Sequence, residues 1–394
     1  MIKYIGIGAN ELDTYLDYAV LSIAAIYLFD ATPTEMGVLG ACFALPFLFS
    51  SNFFGHLLDN SRIHYWRVFL FSMNAIITPV FMLTGSIYGL YCIAALKTLS
   101  RCGLNISNVK LNDNDSESQR FYEIYGYLIN ISRIFIPLIC VFIYQTYGLW
   151  HAVALSCALN VTGIIASTEK SSRIVCVNTN NNQEGIKFSF WNELKIKHEL
   201  LYLVAGYTFA NLAFFMSNDM LGLFFRNAGE SEKSIGLIIS LLGVGGFAGT
   251  KFATMLNKYL KPVQILLVSM IFNITAFAMF GFIPHESVSI YLFYSGIVLV
   301  GAASGITFFA VRFGVRNIIG YRDAGKATGM IQMLSSVVAI LMPVVGGIIA
   351  SITSLAVTFR LTSFLLLGIL VVLLNLIYIR NDRSIPDAKP TENE

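Results

Sequence analysis

Charge is what this sequence has least of. Asp, Glu, Lys and Arg make up 12% of its 394 residues, against about 25% in an average soluble domain, while 56% of the residues are hydrophobic. A soluble fold of this length would have to coat two or three domains with polar side chains, and the chain does not carry them. It also lacks the alternation of apolar and polar residues over about 10 positions that marks membrane β-strands. The net charge of +3 is small and dispersed, which excludes a basic surface for nucleic acid. Six cysteines and five histidines form no CxxC, CxxH or other metal-ligand spacing, so neither a zinc site nor a disulfide framework is expected. No P-loop of the form GxxxxGKS or GxxxxGKT occurs, and the chain is not expected to hydrolyse ATP. No nucleophile or metal cluster suggests an enzyme, and no cofactor is expected beyond a proton or other coupling ion. A cleavable signal is not expected either, because the first apolar run holds Glu11, Asp13 and Asp17.

What is present is a series of apolar runs about 20 residues long. They predict an all-α membrane protein with twelve spans, roughly 5–29, 36–58, 66–86, 89–110, 121–145, 150–168, 200–225, 234–257, 263–283, 289–314, 327–350 and 356–379. The longest internal polar stretch contains Asn178, Asn180, Asn181 and Asn182. It predicts a division into an N-terminal bundle of six helices (1–168), a linker (169–199) ending in a surface helix, a C-terminal bundle (200–380) and a tail (381–394). Basic residues gather on one side of the spans, among them Arg62, Arg67, Lys110, Arg120, Lys170, Lys258, Lys261, Arg316 and Arg380. The other side receives little beyond Arg226, Lys233 and Arg360. The positive-inside rule then places both termini, the linker and the tail in the cytoplasm, in an inner (plasma) membrane.

The halves look duplicated. A shift of 199 residues lays Gly37 on Gly236, both at the start of the second span of their half, and Asp59 on Lys258 and Arg62 on Lys261 at the following turn. After the fourth span of each half, a polar loop leads to Gly126 in one and Gly329 in the other, with Pro137 and Pro343 farther along. Two pseudo-symmetric bundles of six helices are the expected fold.

The turn after span two runs from Gly55 through Asp59 and Arg62 to Arg67. Gly55 permits close helix approach. A carboxylate at Asp59 can accept hydrogen bonds from a neighbouring helix N-terminus and pair with Arg62 or Arg67. Gly55, Asp59 and Arg62 are therefore candidates for a conformational latch, made in one state and broken in another.

In this turn the sequence resembles the major facilitator superfamily, whose corresponding loop reads Gly, three residues, Asp and then a basic cluster. Gly55 and Asp59 match, Asn60 stands where a basic residue usually follows, and Arg62 and Arg67 are displaced. The resemblance extends over nearly the whole chain. It takes in the glycine-rich span eight (Gly236, Gly243, Gly245, Gly246, Gly249) and the stretch from Asp323 to Gly329. The layout looks most like the twelve-helix branch of drug and siderophore exporters. The antiporter signature of span five keeps Pro137 without its glycines, and span eleven has the fuller form in Pro343, Gly346 and Gly347.

Ionisable residues within the spans are the remaining signal, since each is costly unless it faces a cavity or a partner. Asp17 in span one, Lys97 and Arg101 at i and i+4 in span four, Arg133 in span five and Asp219 in span seven are the candidate substrate or ion sites. Three cations against Asp17 leave a surplus of positive charge in the N-terminal half. A bound anion could supply the balance, or Glu123 near the cytoplasmic end of span five and Glu11 and Asp13 at the start of span one could complete a structural network. Phe214, Phe215, Phe308 and Phe309 could line a cavity or pack between helices. The expected function is secondary active transport of a small solute by a monomer in the lipid bilayer, as an exporter driven by an ion gradient. The alternatives are an importer of an anionic nutrient or ferric siderophore, and a lipid-handling membrane protein.

Overall fold

The computed structural model describes residues 2–59, 63–109, 115–168, 189–284, 286, 288–319 and 321–383. Backbone polar groups find no partners in hydrocarbon, so an apolar chain can cross it only by bonding to itself. The described residues form helices: α1 (Ile2–Ile23), α2 (Pro33–Asp59), α3 (Ile63–Val80), α4 (Ile87–Val109), α5 (Asp115–Tyr147), α6 (Leu149–Thr168), α7 (Phe190–Ile196), α8 (His198–Asn218), α9 (Leu221–Asn227), α10 (Lys233–Leu256), α11 (Pro262–Phe282), α12 (Ile290–Ile319), α13 (Tyr321–Ile352) and α14 (Leu355–Arg383). All but α7 and α9 match the expected twelve spans in order.

Among the described residues, nine spans are long and apolar enough to cross a membrane by length and composition. The long helices outside that set are α1, α4 and α5, which charge interrupts. Glu11, Asp13 and Asp17 lie in α1, and Lys97 and Arg101 in α4. In α5 the apolar part shrinks to Ile131–Tyr147. These helices can stay in a membrane only if their charges meet partners inside the protein.

Packing repeats between the halves. Helix α1 packs on α5 and α6 as α8 packs on α13 and α14. The pairs α2 with α4, α3 with α4 and α3 with α6 recur as α10 with α12, α11 with α12 and α11 with α14. The largest contacts between the halves are α2 with α13 and α5 with α10. The same correspondence exchanges them, as a two-fold axis would.

The glycines and prolines that echo in sequence make these contacts. A Cβ on Gly37 would strike the carbonyl oxygen of Pro343, and a Cβ on Gly236 would sit 2.9 Å from that of Pro137. Backbone approach this close requires glycine at both places. Polar contacts join the bundles at the same end. Thr34 and Ser351 share a hydroxyl hydrogen bond of 2.8 Å. Tyr27, on a short π-helical turn (Ala24–Leu28) that follows α1, donates to the Glu230 carbonyl at 3.0 Å. Arg226 pairs with Asp30. That pair is largely exposed and contributes only ~0–1 kcal/mol, so the end is closed mainly by helix packing.

Of the expected linker, residues 189–199 are described. They hold α7, whose Phe190 and Leu194 are buried, and the start of α8. The rest of 169–199, and the tail beyond Arg383, lie outside the described residues.

Candidate functional site

Helix geometry places residues four apart on one face. Asp13 and Asp17 form such a pair on α1, and Lys97 and Arg101 another on α4. The two pairs meet. Lys97 Nζ lies 2.5 Å from Asp17 Oδ2 and 3.8 Å from Asp13 Oδ2. Arg101 Nη2 lies 3.3 Å from Asp13 Oδ2 and also pairs with Asp17. Ser156 of α6 donates to Asp13, and Lys97 donates to Thr78 of α3 at 2.5 Å and to Ser156 at 3.1 Å. All four charged residues are buried. Beside them Asp17, Lys97, Thr78 and Ser156 border a cavity of ≈ 10 Å³, room for about one water.

This differs from the expected excess of cations. Asp13, read from sequence as belonging to the start of its span, lies one turn before Asp17 and supplies the second carboxylate. Two acids face two bases, and Lys97 and Arg101 carry no surplus.

Arg133 stands apart. It is half-buried on α5 where that helix meets α10, with Nη1 3.5 Å from the Cβ position of Gly246. Beside it Ser240 of α10 donates to the Ile134 carbonyl at 2.6 Å. Among the described residues Arg133 has no ion-pair partner.

Asp219 caps the C-terminal end of α8. Asn218 Nδ2 donates to its Oδ1 at 3.2 Å, and its Oδ2 lies against Gly40 of α2 in the opposite bundle. A cavity of ≈ 270 Å³ opens here, lined by Tyr18, Phe43, Phe47, Phe215, Asn218, Asp219, Gln332 and Ser335 among others. A second, of ≈ 40 Å³, lies toward the closed end and shares Tyr18, Gly40, Phe43, Asn218 and Asp219 with the first. Among the described residues, α1, α2, α8 and α13 line the larger cavity, and α9 and α10 join α1, α2 and α8 around the smaller one.

Of the phenylalanines singled out from sequence, Phe215 lines the cavity. Phe214 packs on Phe277, Phe309 stacks on Phe313, and Phe308 carries the Arg312 guanidinium over its ring. The side chains of Gly55 and Asp59, and Arg62 altogether, lie outside the described residues. Arg67, placed from sequence on the turn, is buried on α3 and donates from Nη1 to Ser107 at 2.6 Å and to Asn108 at 2.5 Å. Sequence reasoning did not single out Tyr18, Phe43, Gln332 or Ser335, because each acquires meaning only from a helix in the other bundle.

Solved structures share this arrangement. The nucleoside transporter NupG superposes with a TM-score of 0.76 at 11% identity, over 95% of this chain and 99% of that one. This is the major facilitator fold. A bacterial homologue of the human lysosomal transporter Spinster has it too, with a TM-score of 0.68 at 13% identity over 95% of this chain and 94% of that one. So does the human organic anion transporter MFSD10, at 0.60 and 13%, over 94% and 98%. Residues 200–394 match the family model described as Major Facilitator Superfamily. No curated protein sequence matches. In terms of the major facilitator fold, the Asp219 cavity lies between the two bundles, and the Asp13–Arg101 network lies wholly within the N-terminal one.

Proposed function

We propose that the chain is a secondary transporter that moves a small solute by alternating access, as an exporter driven by an ion gradient. One observation carries the reading. A cavity lies between two pseudo-symmetric bundles, and the bundles touch on one side of it through paired glycine and proline contacts. Rocking about such contacts exposes a fixed site to each side in turn. The distribution of basic residues supports a closed end facing outside the cell and a larger cavity facing the cytoplasm, the loading side for an exporter. The resemblance of the layout to drug and siderophore exporters supports the same direction. Ion coupling is assigned to Asp17. It shares Lys97 and Arg101 with Asp13, so loss of a cation contact in the other state leaves two carboxylates one turn apart, and one of them then takes up a proton.

Alternating access predicts that a thiol in the cavity is reachable from both faces. In a background without native cysteines, Ser335→Cys should react with an impermeant maleimide in both right-side-out and inverted vesicles. Adding Thr34→Cys and Ser351→Cys, oxidised before labelling, should abolish reaction from the outer face, and reduction should restore it. Reaction from one face alone before any oxidation would refute the proposal.

A further inference from the structure

We infer that the cavity between the bundles binds an organic cation, with the Asp219 carboxylate as its counter-charge. This rests on the transport reading above and gives its solute class. The first support is charge. Asp219 is the carboxylate of a membrane-embedded cavity, and among the described residues it has no ion-pair partner. Its hydrogen bond comes from the neutral amide of Asn218 at 3.2 Å. Two buried carboxylates of the spans, Asp13 and Asp17, are matched with a lysine and an arginine inside the protein. A carboxylate left without a cation in a low-dielectric site is complementary to a cation brought from outside.

The second support is the rest of the lining. The rings of Tyr18, Phe43, Phe47 and Phe215 border the same space, and the faces of aromatic rings attract cations. Oxygens of Gln332 and Ser335 can accept from an ammonium N–H. Among the described residues lining either cavity there is no lysine or arginine. Arg133 lies at the α5–α10 contact, its guanidinium against the Gly246 Cβ position, and lines neither cavity.

The third support is position. Asp219, Tyr18 and Phe43 border both the larger cavity and the smaller one toward the closed end. Gly40 leaves room for the carboxylate at this neck. A cation held there touches rings of one bundle and the acid of the other. It can stay bound while the opening passes from one cavity to the other.

The test is calorimetric titration of the purified full-length protein with two permanently charged probes of similar size, phenyltrimethylammonium and benzenesulfonate. The wild type should bind the cation in preference to the anion. Asp219→Asn should weaken cation binding about tenfold or more, while Asp219→Glu should keep most of it. Gln332→Lys, which places a positive charge in the same space without touching Asp219, should abolish cation binding. It keeps the inference testable if the asparagine variant does not fold. Equal binding of both probes, preference for benzenesulfonate, or cation binding that Asp219→Asn and Gln332→Lys leave unchanged would each overturn it. Proton uptake at Asp219 without cation binding would do the same. Cation binding with thiol access from one face alone would refute transport and leave this inference standing. Access from both faces without cation binding would refute this inference alone.

Discussion

Asp17→Asn is expected to destabilise the protein by about 3–5 kcal/mol, the usual consequence of removing one partner from a buried ion pair. The substitution keeps the shape and removes one charge of four. Lys97 then keeps Thr78 and Ser156, which are neutral, and Asp13 at 3.8 Å. The double variant Asp17→Asn/Lys97→Met should recover most of the loss, because a neutral pair no longer strands a buried cation. Unfolding of the purified proteins in detergent, read as a double-mutant cycle, measures both effects. A loss below about 1 kcal/mol in the single variant would show that the network is not what holds α1 to α4.

Gly37→Leu should displace the closed end of the molecule. Its side chain has nowhere to go but into the Pro343 carbonyl, and overpacking of this kind costs about 1–3 kcal/mol. The strain exists only while the bundles touch, so it should favour the opposite state by about 5–150-fold. Gly236→Leu should act alike at the exchanged contact with Pro137 and Val141. Gly368→Leu, with open space at its Cβ, is the control. The rate of labelling of Ser335→Cys from the outer face reads the shift. Equal rates in the control and both variants would mean that these contacts do not govern closure.

The twelve spans were legible because each hydrocarbon crossing needs a run of fixed length. Even the inter-bundle pivots were partly visible, since Gly37 and Gly236, like Pro137 and Pro343, echo at corresponding places. What the echo could not show is that each glycine meets the proline of the other half. That pairing is a property of the two-fold arrangement, and no local pattern records it. The Asp13–Arg101 network was half legible. Lys97 and Arg101 stood out as an i,i+4 pair, and Asp13 and Asp17 have the same spacing, but Asp13 was grouped with the polar start of its span. A rule that sought complementary i,i+4 pairs on separate spans would have joined all four. Arg67 misled for a different reason. Basic residues near a turn usually stay in water, and here neutral oxygens on α4 receive the guanidinium inside the bundle.

The charges of α1 also bear on how the chain is made. Its 22 residues include Glu11, Asp13 and Asp17, and an aspartate at the centre of a span opposes insertion by about 2.5–3.5 kcal/mol. The arginine that pairs with Asp17 lies 84 residues later, so the first helix leaves the ribosome well before its partner. It should therefore wait beside the insertion machinery, or at the membrane surface, until α4 has been synthesised. A reporter tag placed after Phe29 should cross the membrane only in nascent chains extended beyond Val109. Crossing by a chain that stops at Leu83 would show that α1 enters unaided, and that the network forms after insertion instead of enabling it.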